Sequence, residues 1–381
     1  MNNLSIKIRN IFLIFFAVVF SPIIYFLIWL RKIRVRNNEK MRILVIPQLT
    51  RIGDIVCSTP VFRAIKIAYP NSHLSVLVSK KAAGIIKNNY RIDELITYED
   101  YNFLGLTGKI RRNYFNWSIC LSGTSLATLL VFLGLVPGRI KLTRSERPVS
   151  EILTDWLANF KLRYRHHTYA AGFYLKLLEF IGIKNPEEVK EVFVSSRGEK
   201  KAEEFLRQNN ISQNHLLISI SLTAGNKVKE WGDDNFKELA KQLVEKYNAK
   251  IIFIGVKSDE ERIDEAIFDL DKNNFLKAID FSLEDLPSLI KRLKLLIAVD
   301  TGPIYIAHAL KVPLIDIIGP VDPTEQPPED DLSVLVRPPA HVKPSSFVFK
   351  KPGSVKERKV AAQTIKISDV LNAAQKLLIK K

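Results

Sequence analysis

The chain has 381 residues, of which 47% are apolar and 25% are charged. At about 150 residues per domain this length predicts two or three domains, and the balance excludes a chain that is disordered throughout. The only two cysteines, Cys57 and Cys120, are too few for a disulfide scaffold and lack the spacing of a metal site. They indicate folding in a reducing compartment.

The net charge of +17 is concentrated in the N-terminal half of the chain. Residues 1–40 carry +6 and residues 41–180 carry +10, whereas residues 181–381 carry only +1. A field of one sign over part of a molecule indicates an anionic partner, such as a membrane surface, a phosphorylated substrate or a nucleic acid. A merely soluble basic protein is the alternative. No nucleic-acid-binding motif accompanies the charge, so we expect no nucleic-acid partner.

An uncharged run, IFLIFFAVVFSPIIYFLIWL, extends from residue 11 to residue 30. Twenty helical residues match a hydrocarbon core about 30 Å thick, so the run predicts one N-terminal membrane-spanning helix rather than a shorter signal peptide. The basic stretch RKIRVRNNEK follows, which predicts that the rest of the chain lies on the cytoplasmic side of the membrane. Pro22 interrupts the run, and an interfacial helix held by the same basic residues is the alternative.

From residue 41 onward, short β-branched runs alternate with helical periodicity. The first set of predicted strands is MRILVIPQ, HLSVLVS, DELITY and FNWSICL. Such alternation predicts a parallel sheet covered by helices on both faces. Residues 145–180 are aromatic, basic and mostly helical by period, and we interpret them as a lobe or lid between domains. The stretch KNPEEVKEVFVSSRG then has the composition of a linker.

A second alternating pattern follows, with HLLISISL, AKIIFIG, KLLIAVD and VPLIDIIG as strands and SDVLNAAQKLLIKK as an amphipathic closing helix. We therefore predict a membrane anchor at 1–40 and two Rossmann-like α/β domains at 41–180 and 181–381. Open parallel sheets bind ligands at the carboxyl ends of their strands, which makes the cleft between two such domains the default site.

Acidic and basic residues stand where three predicted strands give way to helices. In RIGDIVCSTP, Asp54 is either a helix N-cap or a general base. In LTAGNKVKEWGDDNF, Lys227 and Lys229 bring cations to the edge of the sheet, although loop lysines are usually only solvated.

The third position is VDTGPIYIAHA, in which Asp300, Thr301, Gly302 and Pro303 end a strand and open a helix. Proline suits the first turn of a helix, and unpaired N–H groups together with the Thr301 hydroxyl suit a phosphate. A plain Asp or Thr cap without a ligand is the alternative.

Other templates are absent from the sequence. No G-x-G-x-x-G follows the first strand and no G-x-x-x-x-G-K-[ST] occurs, which argues against nicotinamide and P-loop chemistry. His166 and His167 lack a carboxylate at metal spacing, and the DLD of residues 269–271 is typical of surface acids, so we expect no metal.

In this order, the motifs resemble the family 9 glycosyltransferases, the heptosyltransferase group that builds the inner core of bacterial lipopolysaccharide. The resemblance covers about residues 41–380 and rests on RILVIPQLTRIGDIVCSTPVFRAIKIAYP, on Lys229-x-Trp231, on Val299–Pro303 and on the GPVDP of residues 319–323. It implies a GT-B fold, with two Rossmann-like domains facing a cleft. It also implies inverting, metal-independent transfer from a nucleotide sugar, ADP-heptose in these relatives, with no further cofactor.

The resemblance also implies roles for individual residues. Asp54 falls on the catalytic base that deprotonates the acceptor hydroxyl, and Lys229 falls on the residue that binds donor phosphate. Asp300 to Pro303 fall on the donor-binding loop. Asp259 or Glu260 falls near the acid that meets the nucleotide ribose, and we assign Glu260. The basic N-terminal half suits an anionic lipid-linked glycan as acceptor, at the cytoplasmic face of the membrane.

Two departures leave the donor sugar open. Tyr305 stands where heptosyltransferases commonly carry His, and Val321 stands where Thr is usual. A family member that uses a different nucleotide sugar is therefore an alternative. A catalytically silent scaffold for envelope assembly is a third hypothesis, against which the retention of Asp54, Lys229 and Asp300 argues.

Overall fold

The computed structural model describes residues 3–36, 40–144, 148–345, 348 and 361–379. These residues form two compact units, Met1–Ala83 with Asn89–Val189 and Gly84–Asn88 with Lys190–Lys381. Parts of three predicted segments lie outside the described residues, namely 37–39 of the basic flank, 145–147 of the lobe and 380–381 of the closing helix.

The first unit begins with two helices, α1 (Asn3–Val19) and α2 (Ser21–Arg36), and continues as an alternation of strands and helices. Its strands are β1 (Arg42–Ile46), β2 (His73–Val78), β3 (Glu94–Thr97), β4 (Trp117–Cys120), β5 (Gly138–Thr143) and β6 (Phe160–Arg163). Its other helices are α3 (Ile52–Ala68), α4 (Lys80–Ala83), α5 (Phe103–Arg112), α6 (Ser125–Leu133), α7 (Val149–Thr154) and α8 (Ala170–Lys176). The strands form one parallel sheet in the order β3-β2-β1-β4-β5-β6.

Strands β1 to β4 confirm the four strands predicted for this half of the chain. The described part of residues 145–180, interpreted above as a lobe or lid, instead belongs to the sheet of the first unit. Strand β6 pairs with β5 from Ile140↔Phe160 onward, and α8 packs against α3. The sequence of this stretch has mainly helical periodicity, so a strand of only four residues was not predicted. In β6, exposed and half-buried positions alternate as they do at a sheet edge.

The second unit repeats the pattern. Its strands are β7 (Leu216–Ser221), β8 (Ala249–Ile254), β9 (Phe275–Ala278), β10 (Leu295–Val299), β11 (Leu314–Ile317) and β12 (Ser333–Val336). Its helices are α9 (Ser196–Gln208), α10 (Asp233–Tyr247), α11 (Glu260–Ile267), α12 (Leu286–Ile290), α13 (Gly302–Ala309) and α14 (Ile367–Ile379). All neighbouring strands are parallel, in the order β12-β11-β10-β7-β8-β9. Helix α14 is the predicted closing helix, and its Val370 and Ala374 are buried in the core of this sheet.

The two sheets share one topology. In each, the first strand lies between the second and the fourth, so the strand order reverses at β1/β4 in the first unit and at β7/β10 in the second. Ligands of doubly wound sheets bind outside the carboxyl ends of the strands at this reversal. The loops after β1, β7 and β10, which carry the sequence motifs, are therefore the positions where the fold favours a site.

The structure does not confirm one membrane-spanning helix over residues 11–30, because the run is divided between two helices at the position of Pro22. Helix α1 ends at Val19 and α2 begins at Ser21, because Pro22 has no N–H to donate to the Val18 carbonyl. The Ser21 hydroxyl donates to that carbonyl instead, at 2.7 Å. In the described part of the chain, none of the helices taken alone combines the length and the hydropathy that a membrane-spanning helix needs. The segments Ile11–Val19 and Ser21–Val35 satisfy that condition only as a pair, bent by 71°.

Candidate active site

The loop after β7 is fixed by a buried tryptophan. Trp231 is fully buried, its ring packs edge-on against Phe236 at 5.0 Å between centroids, and its Nε1 donates to the Ile365 carbonyl at 2.9 Å. A buried indole N–H needs such a partner, so the bond and the packing together hold the chain two residues after Lys229 in one place. In the K-x-W pattern, Lys229 is therefore the candidate ligand-binding residue, and Trp231 holds its loop in place.

Lys229 forms an ion pair with Asp300 at the strand-order reversal of the second sheet. Its Nζ donates to the Asp300 carboxylate and approaches the Asp300 carbonyl oxygen at 3.4 Å. The side chains are only 15% and 4% exposed. Strands β7 and β10 are neighbours, so the residues that follow them meet at one edge of the sheet. Lys227 of the same loop is exposed.

Asp300 also accepts a hydrogen bond from the Tyr305 hydroxyl, at 2.6 Å. Tyr305 lies in the second turn of α13 and is buried. The two carboxylate oxygens of Asp300 therefore face different donors, Oδ1 the phenol and Oδ2 the ammonium. Tyr305, one of the two departures noted in the sequence, is therefore part of this group of side chains.

The N-terminus of α13 lies immediately after Asp300. Thr301 occupies the N-cap position in an extended conformation but makes no side-chain cap hydrogen bond, and Pro303 stands in the first turn. Pro303 has no N–H, and the Ile304 N–H donates to the Thr301 carbonyl at 3.1 Å, so the positive potential at the start of α13 comes mainly from the helix dipole. The ammonium of Lys229 and the start of α13 thus bring two sources of positive potential to one place, as an anionic group would require.

The glycine of GPVDP adjoins this loop. Gly319 has φ +50°, and a Cβ added there would lie 3.0 Å from the Ala362 Cβ and 3.6 Å from the Lys229 carbonyl oxygen. Any other residue here would have to adopt a left-handed backbone conformation, and its side chain would press against these neighbouring atoms. Asp322 of the same motif accepts hydrogen bonds from the Thr324 N–H and hydroxyl at 2.9 and 2.7 Å, which closes the turn.

Asp316, the residue of β11 that pairs in register with Ala298, is not among the site residues predicted from the motifs. Its side chain is fully buried, and within the described part of the chain neither carboxyl oxygen has a hydrogen-bond partner. Burial raises the pKa of Asp316 well above its ordinary value, and the negative charge of Asp300 raises it further, against the opposing effect of Lys229. The signal was present as one acid in the otherwise apolar strand VPLIDIIG.

The two acids after β8 face different partners. Asp259 accepts from the Thr223 hydroxyl at 3.1 Å, in the loop that carries Lys229, and from the Val256 N–H at 2.9 Å. Glu260 forms ion pairs with Lys257 and Lys277, and hydrogen bonds from these two lysines lower its pKa. The geometry therefore connects Asp259 to the Lys229 loop, whereas the predicted site residue Glu260 pairs elsewhere.

Asp54 lies at the corresponding reversal of the first sheet, in the first turn of α3. It is not the N-cap, which is Arg51, and the nearest guanidinium nitrogen of Arg51 stands 4.0 Å from its carboxylate. Asp54 is buried, and a carboxylate in a first helical turn is favoured by the helix dipole. Burial raises the pKa of Tyr174 well above its ordinary value, and the Asp54 charge adds to that shift.

The structure thus brings five of the predicted site residues together in the second unit: Lys229, Asp300, Thr301, Gly302 and Pro303. Asp54 occupies the equivalent position in the first unit. Two sheets of Rossmann topology, one of them with a cation and a helix N-terminus at its strand-order reversal, define a doubly wound α/β protein with a candidate anion site.

The comparisons with known proteins narrow this class. The sequence profile of glycosyltransferase family 9 (heptosyltransferase) matches residues 105–348, and the chain belongs to this family. It is 23% identical over 308 residues to the lipopolysaccharide core heptosyltransferase OpsX of Haemophilus influenzae, across 78% of this chain and 85% of OpsX. It is an α/β glycosyltransferase.

Solved structures agree on the fold. A family 9 glycosyltransferase from Veillonella parvula superposes with a TM-score of 0.74 at 21% identity, across 90% of this chain and 98% of that one. The ADP-heptose lipopolysaccharide heptosyltransferase II of E. coli gives 0.72 at 19% identity, across 89% and 99%. The expected pair of parallel-sheet domains is confirmed by this likeness.

Proposed function

We propose that this chain transfers heptose from ADP-heptose to a lipopolysaccharide core or another lipid-linked glycan, with inversion at the anomeric carbon and without a metal. The observation that carries the proposal is the Lys229–Asp300 ion pair at the N-terminus of α13. Membership of the heptosyltransferase family supports the reaction class. Relatives named as heptosyltransferases, one of them as ADP-heptose-dependent, support the donor.

The donor chemistry follows from charge. Transfer breaks the bond between the anomeric carbon and a diphosphate oxygen, so negative charge grows on the leaving nucleoside diphosphate. Asp300 precedes α13 and holds the Lys229 ammonium, and the start of the helix adds the positive end of its dipole; charges fixed in place stabilise the leaving group without reorganising. In the proposed site these groups do the work that a metal ion does in other transferases.

Asp54 is the proposed base. Its carboxylate takes the proton of the acceptor hydroxyl while the hydroxyl oxygen forms the new bond at the anomeric carbon and the diphosphate departs with its electron pair. A single displacement of this kind inverts the configuration. The position of Asp54 supports the role, because the first turn of α3 follows β1 at the strand-order reversal of the first sheet, where ligands of such sheets bind.

We place the reaction at the cytoplasmic face of the membrane. The apolar residues 11–30, the +6 charge of residues 1–40 and the +10 charge of residues 41–180 support a protein held at an anionic surface. The same positive field favours a phosphorylated or otherwise anionic lipid-linked acceptor.

The test is a panel of nucleotide sugars with the full-length chain and a lipopolysaccharide core acceptor. We expect turnover with ADP-heptose, an inverted anomeric configuration in the product by NMR, and unchanged rates in EDTA. Lys229→Met should abolish nucleotide binding measured by calorimetry, whereas Lys227→Met, an exposed lysine of the same loop, should not. Retention of configuration or loss of activity in EDTA would contradict the mechanism.

Transfer of a different sugar is the second candidate. The Tyr305–Asp300 hydrogen bond favours it, since it gives the donor loop a partner unlike the histidine that these relatives commonly carry. Turnover with another nucleotide sugar alone would establish this candidate and leave the roles of Lys229 and Asp54 in place. Failure to bind any nucleotide would contradict both candidates.

A further inference from the structure

The two N-terminal helices are apolar on two opposite sides. On the inner side, Ile14 and Ala17 of α1 and Ile24 and Ile28 of α2 are buried against Leu129, Phe132 and Leu133 of α6. Their spacing of three or four residues is that of one helical face. Both helices are therefore packed onto the first unit and contribute to its core.

The outer side is also apolar and is not covered by the chain. Phe12 and Phe15 of α1 and Ile23, Phe26, Trp29 and Leu30 of α2 are all exposed. A surface helix of a soluble protein presents polar residues opposite its buried stripe. A continuous apolar surface across two helices instead indicates a site that a partner or a membrane covers.

A second element extends this surface. Helix α7 contacts α1, and its Val149 is 68% exposed, with Ile152 and Leu153 also exposed. Trp156 follows α7 and is 41% exposed. Its ring lies 6.1 Å from that of Tyr25, whose hydroxyl donates to the Trp156 carbonyl at 3.0 Å. Residues 149–156 are thus joined to α1 and α2 by direct contacts.

Cations flank the apolar residues. Arg31 is buried at the end of α2, where it donates to the Arg111 carbonyl and lies over the Tyr114 ring at 4.3 Å. This contact brings the C-terminal end of α2 to the C-terminal end of α5, and Lys32, Arg34, Arg111 and Arg112 are exposed there. Apolar and aromatic side chains beside a basic rim match the chemistry of an anionic lipid headgroup layer.

We propose that α1, α2, α7 and Trp156 form one lipid-binding surface, here called the lipid face, which enters a single leaflet without crossing the membrane. A spanning helix is surrounded by lipid, but the inner sides of α1 and α2 are occupied by α6, and the helices are bent by 71° where they meet. Leaving that position would expose Leu129, Phe132 and Leu133 to water. The N-terminus then stays on the same side of the membrane as the rest of the chain.

This inference rests on the membrane location within the proposed function and not on the transfer chemistry. It assigns lipid contact to α7 and Trp156, which the sequence pattern of residues 11–30 does not include. It also decides between the spanning and interfacial alternatives that the sequence left open.

The first experiment measures binding of the full-length chain to vesicles that contain phosphatidylglycerol. Ile152→Gln with Leu153→Gln should weaken binding roughly tenfold, because two half-exposed side chains lose their transfer into the bilayer. Phe268→Gln is the matched control, since Phe268 is 88% exposed in the second unit and should not affect binding. Lys32→Gln with Arg34→Gln should weaken binding to phosphatidylglycerol vesicles and leave binding to phosphatidylcholine vesicles unchanged.

Calorimetric binding of ADP by each variant separates the outcomes. Weaker vesicle binding with unchanged ADP affinity supports the lipid face. Unchanged vesicle binding by the α7 variant would overturn the assignment of α7. A chain that binds no vesicles but dimerises through these residues, shown by light scattering, would identify a second copy as the occupant and overturn the proposal. If the unsubstituted chain does not bind ADP, that result would instead contradict the proposed function.

The second experiment determines whether the N-terminus and the second unit lie on the same side of the membrane. Cys57 and Cys120 are both buried, so a cysteine introduced by Asn2→Cys or by Phe268→Cys can be labelled selectively. In intact spheroplasts of the expressing bacterium, a membrane-impermeant maleimide should reach neither position, and lysis should expose both. Labelling of Asn2→Cys before lysis, with Phe268→Cys protected, would show a spanning segment and overturn the single-leaflet arrangement.

Discussion

The ion pair between Lys229 and Asp300 makes a quantitative prediction, because removing the cation should affect stability as well as nucleotide binding. Asp300 is 4% exposed, and the replacement Lys229→Met leaves its carboxylate with the Tyr305 hydroxyl as the donor that the structure still provides. Removing one partner of a buried pair costs about 3–5 kcal/mol. Since Lys229 is 15% exposed and Tyr305 remains, we expect the lower end, about 3 kcal/mol.

The converse replacement should cost less. In Asp300→Asn, the Lys229 ammonium can turn toward solvent and the amide oxygen still accepts from Tyr305, so we expect a loss of about 1 kcal/mol. The double variant contains no uncompensated charge and should lose about 2 kcal/mol rather than about 4, a coupling of about 2 kcal/mol. In a unit of this size Lys229→Met should lower the Tm by about 6–12 °C.

The assay is differential scanning calorimetry, with the transition of the second unit identified by hydrogen exchange of peptides from β10. Lys227→Met is the matched control, because Lys227 is exposed in the same loop and should leave the Tm within about 1 °C. A Lys229→Met chain that unfolds at the temperature of the unsubstituted chain would contradict a stabilising role of the ion pair. In that case the two charges are solvated and the pair does not hold the loop.

Three further predictions address other buried groups. Asp316→Asn should be more stable than the unsubstituted chain by about 1–3 kcal/mol at neutral pH, because the buried acid must take up a proton on folding and the amide does not. Because the folded-state pKa of Asp316 is raised, the unsubstituted chain loses stability as the pH rises above about 4, and the advantage of Asn should grow over that range. A difference in free energy of unfolding between the two chains that stays constant with pH, measured by urea unfolding, would contradict this. Asp54→Asn should lower kcat by about 10²–10⁴-fold with unchanged ADP affinity, and a rate within tenfold of normal would remove Asp54 as the base. Trp231→Ala should cost about 3–5 kcal/mol, measured by urea unfolding, whereas Trp231→Phe should lose much less if packing rather than the bond to Ile365 dominates.

The two sheets and much of the candidate site could be predicted from the order of residues along the chain. Apolar runs such as MRILVIPQ and KLLIAVD predict buried parallel strands, because both faces of such strands are covered and no alternation is needed. The motifs at Asp54, Lys229 and Asp300 directly follow strands, so their place at the carboxyl edge of a sheet could be read from chain order. Strand β6 was not predicted, because four residues are too few for a reliable periodicity.

Which groups face one another could not be predicted in this way, because it depends on how the strands are arranged in the folded chain. The pairing of Lys229 with Asp300 joins residues 71 positions apart and depends on β7 lying beside β10. The orphaned carboxyl of Asp316 and the different partners of Asp259 and Glu260 likewise depend on neighbours contributed by other strands and loops. The hydropathy of residues 11–30 shows how apolar the run is. Which side of it faces outward depends on the packing of the other side against α6. Composition is a sum over residues, whereas electrostatics and burial depend on distances that only the folded chain sets.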